Sequence, residues 1–292
     1  PRSPVADRSL RDASGRSRRP KSERRWRPPD DLQWIYGSHH KAGTALLLQL
    51  GKDHANVMGK QRSLCWVKSA LRGDEPQGCS GSGRRDRMRI WLWSRLSKQI
   101  LSEFEHDQVD WSDPYHINSR ASLNESQIRD APPRSNLRGV HIIRDPIAMA
   151  ISGYIYHLKS PEVPVLRPIV NMSMAEGLAK VVLYTVHISG KEMVEAYSSA
   201  PSWVMNIRYE SFAQSSESFD QTAAAMYEHM LGDIYTPWER QKLLKAAAMR
   251  DLRRHRPYDE DHVADPELKE KVAKMLQSIP PEPLRALQKM RE

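Results

Sequence analysis

The chain has 292 residues, 39% hydrophobic and 28% charged, the balance of one globular domain with or without a tail. No apolar run reaches the roughly 18 residues of a membrane helix. Two cysteines, Cys65 and Cys79, are too few for a disulfide scaffold, and a thiolate zinc site would need further ligands.

The formal charge of +9 is unevenly placed. Residues 1–30 hold nine Arg and one Lys against four acidic residues, a net +6. This stretch is rich in Arg, Ser and Pro and poor in aliphatics, so it cannot bury enough apolar surface to offset the entropy of ordering. It is expected to be a disordered basic tail, with residues 31–292 forming one domain. No specific nucleic-acid partner is expected. The expected compartment is the cytoplasm, or the Golgi lumen if an anchor precedes Pro1.

After the tail, Leu32 to Tyr36 reads as a short buried strand and Ala42 to Leu50 as the helix that follows. Residues 72–88 have loop composition. From Ile90 the apolar residues Trp93, Leu96, Ile100 and Phe104 recur at helical spacing, which predicts a helix. Tyr115 to Asn118 reads as a short strand. Val140 to Ile143 is the clearest strand, and Ile147 to Leu158 is predicted as its following helix. Residues 174–199 read as a long helix softened near Gly190, and Trp203 to Tyr209 as a further strand. Helices are predicted at about 217–231, 237–252 and 265–278. Strands separated by helices predict an α/β fold, a central parallel sheet covered on both faces.

Two segments carry the chemistry. Ser38-His39-His40-Lys41-Ala42-Gly43-Thr44 and Arg144-Asp145-Pro146 each place a cation in a tight turn between a strand and a helix start. Such turns aim backbone N–H groups and a positive helix end at an anion. Two of them suggest a ligand with anionic groups at both ends. The first departs from the ATP/GTP loop, in which Lys follows the second glycine of G-x-x-x-x-G-K-[ST]; here Lys41 precedes Gly43. A nucleotide-dependent phosphoryl transferase therefore stands as the alternative rather than the main reading.

Lys41-Ala42-Gly43-Thr44 after a strand, then Arg144-Asp145-Pro146 with Ser152 and Tyr154 beyond, then Tyr209-Glu210 ending a strand, resembles the sulfotransferase superfamily. These enzymes use 3′-phosphoadenosine-5′-phosphosulfate (PAPS) and release the bisphosphate PAP. The resemblance spans about residues 32–255 and implies a nucleotide-kinase-like (P-loop-like) fold in a single domain. It implies that Lys41, Ala42, Gly43, Thr44 and Ala45 cradle the phosphosulfate, and that Arg144 and Ser152 hold the 3′-phosphate. Tyr209 would pack on adenine. It further implies transfer of the sulfuryl group to a hydroxyl or amine of a small-molecule or carbohydrate acceptor. A PAP-binding protein without activity is the alternative outside enzymes. Leu46 stands where the family carries an aromatic residue. The family's glycine-rich C-terminal clamp is absent, with only Arg253, Arg254, His255 and Arg256 in that neighbourhood.

The acceptor must lose a proton, and the resemblance places the base at His116, with Asn118 as the competing alignment. His39 and His40 flank the first loop, and on extended backbone adjacent side chains point to opposite faces. His157 lies near the end of the second helix, where it either lines the acceptor pocket or offsets the helix dipole. No metal is expected: the His39-His40 pair has no third ligand at useful spacing.

Overall fold

The computed structural model describes residues 33–58, 63–67, 89–93, 96–98, 101–102, 137–160, 162–232, 234–255 and 265–291. In chain order the elements begin with β1 (Gln33–Gly37), α1 (Thr44–Met58), β2 (Ser63–Val67), β3 (Arg89–Trp93), β4 (Leu137–Ile143) and α2 (Pro146–Lys159). A 3₁₀ segment (Pro164–Asn171) leads into α3 (Met174–Tyr184), a π turn (Thr185–Ser189) and α4 (Gly190–Ser198). The chain continues through β5 (Val204–Arg208), α5 (Tyr209–Ala213), α6 (Ser216–Leu231) and α7 (Pro237–Ala248). It closes with α8 (Pro266–Met275), a 3₁₀ turn (Leu276–Ser278) and α9 (Pro281–Lys289). The predicted N-terminal tail, the loop at 72–88, Cys79, the strand at Tyr115–Asn118 and the candidate base His116 lie outside the described residues.

All five strands run parallel in the order β2-β3-β1-β4-β5, so the expected α/β architecture is the one observed. One sequence expectation is corrected. The helical spacing starting at Ile90 gives way to a strand, because Arg89–Trp93 pairs with β1 on one side and β2 on the other. A short Ile-Trp-Leu-Trp run fits either period, and its aromatic and β-branched content suits a strand closed on both edges.

Helices cover both faces. On one, Trp34, Tyr36, Val140, Ile142 and Ile207 pack with Leu47, Leu50, Phe219, Met226, Tyr227 and Leu243. The polar ends of these aromatics are all used: Trp34 Nε1 donates to the Met230 carbonyl at 2.9 Å, and Tyr227 Oη to the Leu50 carbonyl at 3.0 Å. On the other side, α2, α3, α8 and α9 enclose Ile151, Tyr154, Leu178, Val181, Val272 and Leu287. Ser173 and Thr236 open α3 and α7 with reciprocal capping boxes to Glu176 and Glu239.

The topology places the site. From central β1 the chain moves outward to β2 and β3, then crosses to β4 and β5 on the other flank. The loops leaving β1 and β4 therefore diverge at a topological switch point, where open α/β sheets form a crevice outside their carboxyl ends.

Helix α1 is fastened from behind by buried Asp53, which accepts from Arg250 Nε and Nη2 at 2.8 and 2.7 Å. We expect Asp53→Ala to lower stability by about 1.5–3 kcal/mol, the range for hydrogen bonds to a charged group. Urea unfolding should show a shifted midpoint at unchanged slope.

Candidate active site

The loop between β1 and α1 is closed by its own short-range bonds. Ala42 N–H donates to the His39 carbonyl at 2.9 Å, and Thr44 Oγ1 donates to the same oxygen at 3.1 Å. Ser38 Oγ donates to Thr44 Oγ1 at 2.9 Å. Closing the loop this way drives Lys41 to φ 63° and Gly43 to φ 107°. For a lysine the left-handed region costs about 1–2 kcal/mol, and it persists only where surroundings hold it. The holding contact is Arg144 Nη1, which donates to the Lys41 carbonyl at 2.7 Å. At Gly43 the constraint is also steric, since a Cβ there would stand 2.7 Å from Tyr209 Cδ2.

The three sequence motifs meet at this point. Arg144 lies over the Tyr209 ring, 4.5 Å from its centroid. Glu210 Oε1 accepts from Asp145 N–H at 3.0 Å, tying the start of α5 to the start of α2. Asp145 caps α2 through Ala148 N–H at 3.0 Å and meets Arg291 Nε at 2.7 Å. The Lys41 side chain turns the other way, passing Gly153 and setting Nζ 3.3 Å from the Tyr156 ring centroid.

Burial acts on both cations, and like charge acts on Lys41. Burial, then neighbouring Arg144, lowers Lys41 to a pKa of about 7, partly opposed by Glu162. Burial also lowers Arg144, opposed by Tyr209, Glu210 and Asp145. Arg144 Nε is buried and has no hydrogen-bond partner among the described residues. Two desolvated cations, and a buried N–H without a partner among the described residues, thus stand at the ends of β1 and β4.

Four histidines flank the loop in two pairs. His39 Nε2 lies 2.9 Å from His141 Nε2, and His141 Nδ1 lies 2.8 Å from Asn206 Oδ1. The β4–β5 register sets His141 beside Asn206 on one face of the sheet. Burial lowers His141 to about 4, partly opposed by that Asn206 bond, so His141 is neutral at ordinary pH. The second pair, His40 with His157, sits on the Lys41 side: Nε2 to Nε2 is 2.8 Å, and His157 Nδ1 lies 3.0 Å from the Ser160 carbonyl. The two loop histidines thus diverge, as alternation along the chain requires.

Of the residues singled out in the sequence, Lys41, Gly43, Thr44, Arg144 and Tyr209 are brought together directly. Ala42 is buried against Met149 and Met193, and Ala45 is exposed on the first turn of α1. Ser152 is half-buried two turns into α2. Leu46 packs toward the core rather than forming a wall of the site. Arg253 and Arg254 are engaged elsewhere. Arg253 donates to the carbonyls of Phe212, Ala213 and Ser215 at 2.6–2.9 Å, and Arg254 grips Asp220 bidentately at 2.7 Å. Among the described residues, Arg291 is the C-terminal cation that reaches the second motif, through Asp145. Sequence reading missed Arg291 because no local pattern marks it, and missed His141 and Asn206 because pairing across strands defines their contact. Among the described residues no group of three His, Cys, Asp or Glu is arranged to hold a metal, and no described helix is long and apolar enough to cross a membrane.

No family model and no curated protein matches the chain by sequence. Among solved structures, the mouse sulfotransferase SULT7A1 complexed with PAP aligns with a TM-score of 0.50 at 12% identity, covering 90% of this chain and 84% of that one. The fold is sulfotransferase-like. At that identity the likeness concerns architecture, and what the site binds is argued from its own residues.

Gly43→Ala should leave the chain folded with the loop displaced, since both φ and Tyr209 oppose a methyl group. The expected thermal signature is a destabilisation of about 1–3 kcal/mol.

Proposed function

We propose that the chain is a PAPS-dependent sulfotransferase acting on a hydroxyl or amine of a small-molecule or carbohydrate acceptor. The observation that carries this reading is the bond from Arg144 to the Lys41 carbonyl, which joins two cationic turns into one crevice of the kind a bisphosphorylated nucleotide needs. The order of the three motifs, their convergence in space and the sulfotransferase-like fold support it together. The fit to PAPS rests on the same geometry: a half-buried lysine at a helix start, and an arginine with a buried unused N–H.

When bound, the donor supplies an already activated sulfuryl group. Sulfuryl transfer resembles phosphoryl transfer in its loose, charge-spread transition state, so the chain's task is positioning and electrostatic stabilisation. Lys41, a compact point charge, meets the oxygen that bridges sulfur and phosphorus as it gains charge. The N–H groups of Gly43, Thr44 and Ala45 face non-bridging oxygens at the N-terminus of α1. Arg144, with Ser152, takes the 3′-phosphate, and Tyr209 lies against the base. The acceptor's proton leaves to a histidine, which the family resemblance places at His116. No metal takes part in this reading.

The deciding measurement is calorimetric titration of the full chain with PAP, and with ATP plus Mg²⁺ for comparison. We expect micromolar or tighter PAP binding and much weaker ATP binding. Preferred ATP binding would favour a phosphoryl transferase. PAP binding without sulfate transfer to any acceptor would favour an inactive PAP-binding protein. Arg144→Ala should weaken PAP by about 1.5–3 kcal/mol, whereas Lys41→Ala should depress turnover far more than affinity.

Affinity should also depend on pH. Lys41 titrates near 7 in the free site, and a bound anion raises its pKa. PAP binding is therefore strongest below about pH 7 and weakens as pH rises toward the raised value, a range above the phosphates' own ionisation near ~6. Titrations at pH 7.5 in buffers of different ionisation enthalpy should report proton uptake, and Lys41→Ala should abolish it. Affinity that rises with pH over this range would contradict the assignment.

A further inference from the structure

We propose that His40, through Nδ1, takes the proton of the acceptor group, with His157 as the positioning residue that holds His40 in the required tautomer. The inference rests on the sulfotransferase reading above and moves the base from His116 to a residue beside Lys41.

The direction of the hydrogen bonds is set at one end. The Ser160 carbonyl can only accept, so His157 Nδ1, 3.0 Å away, carries a hydrogen. In a neutral ring the other nitrogen then holds a lone pair. His157 Nε2 accordingly accepts from His40 Nε2–H at 2.8 Å. With Nε2 protonated, His40 Nδ1 holds the lone pair. The ring planes differ by 24° and the centroids lie 4.9 Å apart, so the nitrogens sit between two rings meeting edge to edge. That is hydrogen-bond geometry rather than stacking.

His40 is half-buried, and nothing among the described residues bonds to its Nδ1. It adjoins Lys41 in sequence and faces Tyr156 and Tyr184, whose ring centroids lie 6.3 and 6.0 Å away. The charged neighbours are Lys41, itself acted on by Arg144 and Glu162, and Glu162, which also acts on His157. Burial, then His157 and Lys41, hold His40 at about 3 in the free site, so its lone pair is available at every working pH. A weak base suffices, because a hydroxyl becomes strongly acidic as its oxygen bonds to sulfur. In the step, the bond from the acceptor oxygen to sulfur forms while the bond from sulfur to the phosphate oxygen breaks. The leaving oxygen keeps that electron pair opposite Lys41, and the acceptor's proton passes to His40 Nδ1. The resulting imidazolium still donates from Nε2 to His157. The other pair cannot serve in this way: His39 is fully buried against His141.

The test uses the full chain, PAP and PAPS, with water and a series of substituted phenols of graded acidity as acceptors. Wild type, His40→Gln, His40→Ala, His157→Gln and His116→Ala are compared. We expect His40→Gln to bind PAP within about twofold of wild type, on the scale where tenfold is 1.4 kcal/mol. Sulfate transfer should fall at least about 100-fold, most for the least acidic phenols. Added imidazole should partly restore His40→Ala, which a purely structural role would not allow. Long-range ¹H–¹⁵N spectra should show His40 protonated at Nε2 and His157 at Nδ1, and His157→Gln should alter the His40 pattern. Unchanged transfer by His40→Gln, a full loss confined to His116→Ala, or His40 protonated at Nδ1 overturns the proposal. Wild type that binds PAP yet moves no sulfate to water or phenols overturns it too. Failure of wild type to bind PAP removes the sulfotransferase reading itself, a result distinct from the others.

Discussion

The hydrogen bond from Arg144 to the Lys41 carbonyl is the constraint on which the site depends. It links turns separated by a hundred residues and holds a lysine where backbone sterics oppose one. Without it, the loop after β1 would relax toward ordinary dihedrals, and the Lys41 side chain would lose its position over Tyr156. The bond also uses one arm of Arg144 and leaves Nε buried, without a partner among the described residues. One interaction therefore shapes the crevice and leaves part of it unsatisfied.

Electrostatics follow from that arrangement. Both cations are held partly out of water, which lowers the proton affinity of each, and the charge of Arg144 lowers Lys41 further. The protein offsets this with Tyr209 beneath Arg144 and with Glu210 and Asp145 nearby, and with Glu162 on the Lys41 side. The sheet face under α1, α6 and α7 is conventional by contrast: it is apolar, and Trp34, Tyr36 and Tyr227 there each have a hydrogen-bond partner. Stability is supplied by the core, and among the described residues the positive-φ backbone lies in the loop after β1, as expected of a functional site.

Legibility varied with the range of the interaction involved. The strands at 33–37 and 137–143 and the helices after them followed from local apolar periodicity. So did the softening of the helix over 174–199, although the π turn at Thr185–Ser189, rather than Gly190 alone, is its cause. At Ile90 the same reasoning chose the wrong period, because a five-residue aromatic run does not reveal whether strands lie on both its edges. The C-terminal arginines show the same limit. Arg253 and Arg254 were candidates by position, yet they bind carbonyls and Asp220, while Arg291 reaches Asp145 from the end of the chain.

By itself the sequence determined most of the element types, the parallel α/β class, the two cationic turns and the resemblance they carry, since each depends on residues within a few positions of one another. Only the tertiary structure decided that Arg144 closes on Lys41, that Tyr209 bars a side chain at Gly43, and that each loop histidine finds a partner more than a hundred residues away. Those contacts arise where strand order reverses beside β1, and strand order is set by how whole layers pack, which no local pattern records.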